Sequence, residues 1–221
     1  MRQSYHEELD GIVSTLVGMT DDVRVAVEDA TRALLGADAT LAGRVIDADP
    51  TLDARHDSLE ERCFNLLARQ APVAGELRTV VAALRMANEL ARMGDLAVHV
   101  AKIAAMRAPA TAVPERLRDN FSRMAVVAGE MVRVAGATLA ERDVATATQL
   151  ADSDDEMDAL RRQQFQVLLG DDWPYGVEAA VDVALLGRYY ERIADHAVSM
   201  AGRIVYLVTG APPEGENWPN A

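Results

Sequence analysis

The chain has 221 residues and a formal net charge of −13, which argues against a nucleic-acid-binding surface, since such surfaces need clustered lysine and arginine. Half of the residues are hydrophobic but only 5% are aromatic, so alanine, valine, leucine, isoleucine and methionine must build the core, and alanine and leucine favour helices. The one cysteine, Cys63, excludes a disulfide framework and is expected to be a buried thiol, while the absence of a signal-like or 18-residue apolar run predicts a cytoplasmic chain without membrane insertion.

The hydrophobic periodicity predicts three long helices in the first half of the chain. Gly36 and Ala37 are expected to separate the first helix from the second, and the side-chain oxygen of Asp38 is expected to cap the N-terminus of the second. Pro50 lies inside the second helix and is expected to kink it, because proline lacks the N–H group and clashes with the preceding turn. The first helix is expected at about residues 5–35, the second from the Asp38 cap to about 69, and the third at about 76–106, after a turn at 70–75.

The second half of the chain repeats this plan. Residues 107–114 are rich in alanine, proline and threonine and predict a linker between the halves. A fourth helix is expected at 115–139, a fifth that Asp143 caps, a turn at 170–176, and a sixth helix at 177–208. The domains are expected to be two three-helix repeats and a disordered tail, at residues 1–110, 111–209 and 210–221.

Two stretches of sequence recur at a fixed distance, which indicates an internal duplication. Residues 92–101 (RMGDLAVHVA) and residues 192–201 (RIADHAVSMA) are identical at 5 of 10 positions. At an offset of 105 residues Met19 matches Met124, and Asp38 matches Asp143. Because long helices with short loops run antiparallel to their neighbours, we predict an all-α fold of two tandem antiparallel three-helix bundles, six long helices in all, related by a pseudo-twofold axis.

The sixth helix carries two carboxylates on one face. Glu191 and Asp195 are four residues apart, and two interpretations stay open at this stage. Arginines three residues earlier, Arg188 and Arg192, would pair with them on a solvated face, or a hard cation would sit between the carboxylates. The other candidate metal ligands are the acidic and histidine side chains of the remaining long helices, namely Asp49, Asp53, Asp95, His99, Asp154, Asp158 and His196.

Motifs of catalysis are missing from the sequence. It contains no glycine-rich phosphate loop, no G-x-S-x-G and no H-E-x-x-H. Di-iron helical bundles need Glu-x-x-His on two helices, and the nearest match is Asp53-x-x-His56 in one half only. We therefore predict no catalytic residues and no enzymatic activity.

The segment RYYERIADHA at residues 188–197 resembles the second-repeat signature R-Y-x-E-R-I-x-D-H-A of the PhoU family of phosphate-signalling regulators, and LARMGDLA at 90–97 resembles its first-repeat form, L-E-R-I-G-D-H-A. Ala91 stands where the family has glutamate and Leu96 where it has histidine. The E/D-x-x-x-D metal motif is therefore complete in the sixth helix, whereas the third helix keeps only its aspartate, Asp95. Glu89 and His99 are the candidate substitutes there.

The resemblance implies a cytoplasmic, non-enzymatic adaptor. Such proteins link the ATPase subunit of the phosphate ABC transporter to the cytoplasmic domain of a sensor histidine kinase, and they restrain uptake and the phosphate-starvation response. It also implies a homodimer, a divalent or trivalent metal such as iron, zinc, magnesium or manganese, and a partner surface around Arg92, Arg188 and Arg192. The alternatives are a carboxylate-lined iron enzyme or iron store, and a purely structural helical dimer.

Overall fold

The computed structural model describes residues 2–152 and 154–210, without the side chains of residues 2–4, 70, 151, 152 and 154. Within these ranges the chain forms helices and no strand, which confirms the all-α prediction. The helices are α1 Arg2–Gly36, α2 Ala39–Gln70, α3 Ala74–Arg107, a 3-10 turn Glu115–Leu117, α4 Arg118–Glu141, α5 Val144–Asp152, α6 Asp154–Leu168 and α7 Gly176–Thr209. Ser153 and the tail predicted after Gly210 lie outside the described residues.

The two predicted aspartate caps are found at the N-termini of α2 and α5, the second helix of each half. Asp38 accepts a hydrogen bond from the backbone N–H of Leu41 at 2.9 Å, and Asp143 accepts one from Ala145 at 3.0 Å. Both confirm the expected role of a side-chain oxygen at a helix N-terminus. Pro50 lies inside a continuous α2, and the kink at this residue stays a prediction.

Helices within each half run antiparallel to the next one along the chain. In the first half Arg62 near the end of α2 pairs with Glu8 near the start of α1 at 2.7 Å. In the second half Arg116, just before α4, pairs with Asp172, just after α6, at 3.4 Å. This packing places the third helix of each half, α3 or α7, beside the other helices of that half. The signature segments lie on these two helices.

The two halves pack against each other through α3 and α7, which also run antiparallel. Residues later in α3 contact residues earlier in α7. Glu89 meets Arg203 at 2.6 Å, the ring of His99 stacks on that of Tyr189 with centroids 5.3 Å apart, and Arg107 pairs with Asp182 at 2.6 Å. This reversed order is what a twofold axis between equivalent helices produces, so the predicted pseudo-twofold is confirmed.

One apolar core runs through both halves of the described chain. It contains buried residues of every α-helix, and its largest fully buried side chain is Tyr190. The hydroxyl group of Tyr190 shares a hydrogen bond with that of Thr31 on α1 at 2.6 Å, so the two halves also meet through a polar contact. Cys63 is fully buried as predicted, and burial raises the pKa of its thiol to about 11. Among the described helices, none combines the length and apolarity of a membrane span.

Candidate functional site

Glu191 of the α7 signature is held by two guanidinium groups. Arg188, three residues earlier on the same helix, reaches its Oε1 at 2.7 Å. Arg161 of α6 donates from Nε to its Oε2 at 3.2 Å. The Glu191 side chain is 24% exposed, so its charge lies partly inside the protein and is compensated by cations of the chain itself.

Arg161 belongs to a buried polar network between α4, α6 and α7. Its Nη1 donates to Oε1 of Gln164 at 2.9 Å, and Nε2 of Gln164 donates to Oδ1 of Asn120 at 2.8 Å. The guanidinium carbon lies 4.5 Å from the ring centroid of Phe165, a distance typical of a cation–π contact. Arg161 and Gln164 are 8% and 0% exposed, so this network fixes the Arg161 side chain beside Glu191.

Asp195 and its counterpart in the first half pair within their own helices. Arg192 reaches Oδ2 of Asp195 at 3.3 Å, and Arg92 reaches Oδ2 of Asp95 at 3.1 Å. Arg92 is 72% exposed and Arg192 is 42% exposed. Both pairs are therefore surface ion pairs, which add little stability in water and leave charged groups open to other molecules.

His196 of α7 reaches across the pseudo-twofold interface to α3. Its Nδ1 lies 2.6 Å from Oε2 of Glu89, whose Oε1 accepts from Arg203 at 2.6 Å. Burial works to raise the pKa of the Glu89 carboxyl, but the hydrogen bonds and charges of His196 and Arg203 outweigh it and lower the pKa. Glu89 therefore takes part in an ionic contact between the halves, and His196 has a protein partner at one ring nitrogen.

The acidic side chains of α2 and α3 gather in the first half. Burial first, and then the neighbouring charges of Asp53 and Asp95, raise the pKa of Asp49, while Lys102 and His99 act to lower it. The structure therefore brings these three predicted carboxylates and His99 into one neighbourhood. Lys102, which the sequence analysis did not single out, supplies a positive charge there.

The donor groups that a metal needs are spread over several places. Among the described side chains, the cluster whose three ligand atoms lie within 4.8 Å of one another is His56, Asp57 and Glu60. Asp158 is 3.9 Å from Arg162, and the side chain of Asp154 lies outside the described residues. Glu191 does not fit a metal well, because each of its oxygens is already paired with the positive charge of an arginine. Metal binding at the predicted residues stays a prediction.

Comparison with known proteins gives a consistent result over the whole chain. The PhoU domain model matches residues 16–104 and 121–204. A Mycobacterium leprae protein named phosphate-specific transport system accessory protein PhoU homolog 1 is 44% identical over 221 residues, all of both chains. The homolog 2 of Mycobacterium tuberculosis is 46% identical over 213 residues, 96% of this chain and 100% of its own. The crystal structure of PhoU from Pseudomonas aeruginosa superposes with a TM-score of 0.85 at 28% identity, covering 94% of this chain and 100% of the other.

Proposed function

The chain belongs to the PhoU family, and from that premise we propose that it is an accessory protein of a phosphate-specific transport system. The observation that carries the proposal is the full-length similarity to proteins that bear this name. The α7 signature residues Arg188, Glu191 and Arg192 are present and lie on its partly exposed face. The relatives are named as accessory proteins.

In the finer form of the proposal, the protein is a cytoplasmic adaptor and negative regulator. It contacts the ATPase subunit of the phosphate ABC transporter and the cytoplasmic domain of a sensor histidine kinase. When phosphate is plentiful, it holds the kinase in its non-signalling state and limits uptake. Long helices with exposed ion pairs such as Arg92–Asp95 suit this role, since rim charges direct the encounter of two proteins and discriminate between partners.

Genetic complementation tests the proposed role. In a host strain that lacks its own accessory proteins of this type, we expect phosphate-starvation genes to be active in phosphate-rich medium. Expression of this chain should silence them and lower phosphate uptake. Failure to silence them, together with no binding to either the kinase domain or the ATPase subunit in a purified system, would remove the proposal.

Two arginines provide a matched pair for locating the partner surface. Arg92 and Arg32 are both 72% exposed, and each pairs with an aspartate three residues away. We expect Arg92→Glu to weaken binding to one partner by about tenfold, which corresponds to about 1.4 kcal/mol, and Arg32→Glu to leave binding unchanged. Titration calorimetry measures both. Equal effects of the two substitutions would place the partner surface away from the signature of α3.

We also propose that the chain forms a homodimer, as the resemblance implies. Light scattering should then give about twice the chain mass of 23.9 kDa. A measured mass near 23.9 kDa at micromolar protein concentration would contradict the homodimer but not the adaptor role.

A further inference from the structure

We infer that the guanidinium group of Arg161 is the resident cation of the α7 signature, so that Glu191 is neutralised by the chain itself and needs no metal. A carboxylate that is largely withdrawn from water requires a counter-charge with good geometry. Arg161 supplies it to Oε2 at 3.2 Å, and Arg188 supplies it to Oε1 at 2.7 Å. A metal ion at Glu191 would have to lie beside two guanidinium groups of like charge or displace one of them.

The surroundings of Arg161 are shaped for a planar cation. Gln164 accepts from its Nη1 at 2.9 Å, and the ring of Phe165 lies under the guanidinium at 4.5 Å. A Cβ atom at position 187 would clash with Gln164 and with Arg161, and the residue there is glycine. The fixed plane and five donors of a guanidinium match such a site, whereas a flexible exposed arginine would need none of these features.

The two repeats differ at the positions that form this pair. At the offset of 105 residues Arg161 corresponds to His56, and at the offset of 100 residues Glu191 corresponds to Ala91. The second half has both the cation and the anion, and the first half has neither. In the first half Nε2 of His56 instead lies 3.1 Å from Oδ1 of Asn88. The joint presence of arginine and glutamate in one repeat supports their function as a unit.

Arg161 keeps its proton at neutral pH in this site. Burial lowers the pKa of Arg161, and the charge and hydrogen bond of Glu191 act in the opposite direction. The pKa of a guanidinium is so far above neutrality that Arg161 stays charged beside Glu191. Glu191 would be neutralised in this way whichever partner the signature meets.

Metal titration and thermal unfolding of the full chain test the inference. Wild-type protein is compared with Arg161→Gln, Glu191→Gln and the double variant, each in EDTA and with added Mn²⁺ or Zn²⁺. The control is Arg162→Gln, since Arg162 is the next residue on α6 and is 68% exposed. We expect metal to change the midpoints of the wild type and of Glu191→Gln equally, because Glu191 takes no part in any metal binding elsewhere in the chain. Arg161→Gln should lower the midpoint by roughly 3–8 °C, and Arg162→Gln should change it by under about 2 °C.

The unfolding midpoints of the single and double variants measure whether Arg161 and Glu191 act as a pair. The double variant should lose less than the sum of the single losses, because both substitutions remove the same contact. Metal should raise the midpoint of Arg161→Gln, where Glu191 has lost one of its two arginine partners, by more than it changes the midpoint of the wild type or of the double variant. If Arg161→Gln does not fold, Arg161→Lys takes its place in the unfolding cycle, since it keeps the charge and loses the planar contacts. The metal comparison then uses the wild type and Glu191→Gln alone.

Two outcomes overturn the inference. One is a wild-type protein that binds about one equivalent of metal and loses it on Glu191→Gln, as measured by metal analysis after dialysis. The other is strict additivity of the Arg161 and Glu191 substitutions, which would mean that the two side chains do not act as a pair.

Discussion

Gly187 is the residue that lets the polar network of the second half approach α7. Gln164 and Arg161 pass so close to its backbone that a Cβ atom would overlap both. Their side chains are almost fully buried and tied to further partners, so they have little room to move. The absence of a side chain at position 187 therefore leaves the space that Arg161 and Gln164 occupy beside α7.

Replacing Gly187 with alanine is expected to destabilise the protein by about 1–3 kcal/mol, the usual cost of inserting a group into a packed interior. The matched control is Gly43→Ala in α2, where a Cβ atom would meet no other atom within 4 Å. Because alanine is the better helix former, the control should gain up to about 1 kcal/mol. Urea unfolding measures both. Equal gains at the two positions would show that the network moves freely.

At the scale of the helix, Asp143 makes the N-terminus of α5 sensitive to acid. The hydroxyl of Thr146 donates to its Oδ2 at 2.5 Å. That hydrogen bond first, and then the backbone N–H groups of Thr146 and Ala145, lower the pKa of its carboxyl. A carboxyl whose pKa is lower in the folded state stabilises the fold above its unfolded pKa. The stabilisation is lost as the pH falls through the folded value.

Asp143→Asn should keep a capping oxygen but remove the charge, so it separates the cap from its titration. We expect the wild type to be the more stable protein at pH 7, and the difference to shrink as the pH falls below about 4. Thr146→Val removes the largest cause of the lowered pKa and should shrink the same pH-dependent difference. Urea midpoints between pH 7 and pH 3 measure it, and a difference that is constant with pH contradicts the assignment.

Element boundaries were predictable where the signals are local. The glycine–alanine break, the aspartate caps and the apolar period located helices that the structure confirms. A boundary prediction was wrong at residue 115, where Glu115–Leu117 forms a 3-10 turn before α4. Another was wrong at the start of α3, which begins at Ala74 inside the predicted turn. Single-turn differences of this kind depend on how the helix ends pack, and the sequence pattern does not contain that information.

In the candidate site, contacts within one helix were predictable from the sequence, and contacts between helices were not. The pairs Arg188–Glu191 and Arg192–Asp195 follow from a spacing of three residues on one helix. The partner Arg161 is 30 residues from Glu191, and Glu89 is 107 residues from His196. These contacts exist because α6 and α3 pack on α7. A helical repeat alone gives no rule for which polar residue of one helix faces which of another.

At the scale of the whole molecule, each half completes the other. Helices α1 and α3 of the first half lie against α4 and α7 of the second, and the buried side chains of all four belong to one core. Arg107 at the end of α3 makes two hydrogen bonds to the buried Asp182 of α7, at 2.6 Å and 3.1 Å. A half on its own would expose the apolar faces of two of its three helices to water.

A chain cut to residues 1–110, the predicted first repeat, is therefore expected not to fold cooperatively on its own. The full chain should unfold in one transition, because separating the halves exposes the shared core. Circular dichroism and calorimetry of both proteins measure this. Asp182→Asn in the full chain is the companion variant, since it weakens the contact between the halves without deleting any core. It should lower the midpoint and keep a single transition. A cooperative, monomeric 1–110 fragment, or two transitions in the full chain, would establish instead that the repeats are independent domains.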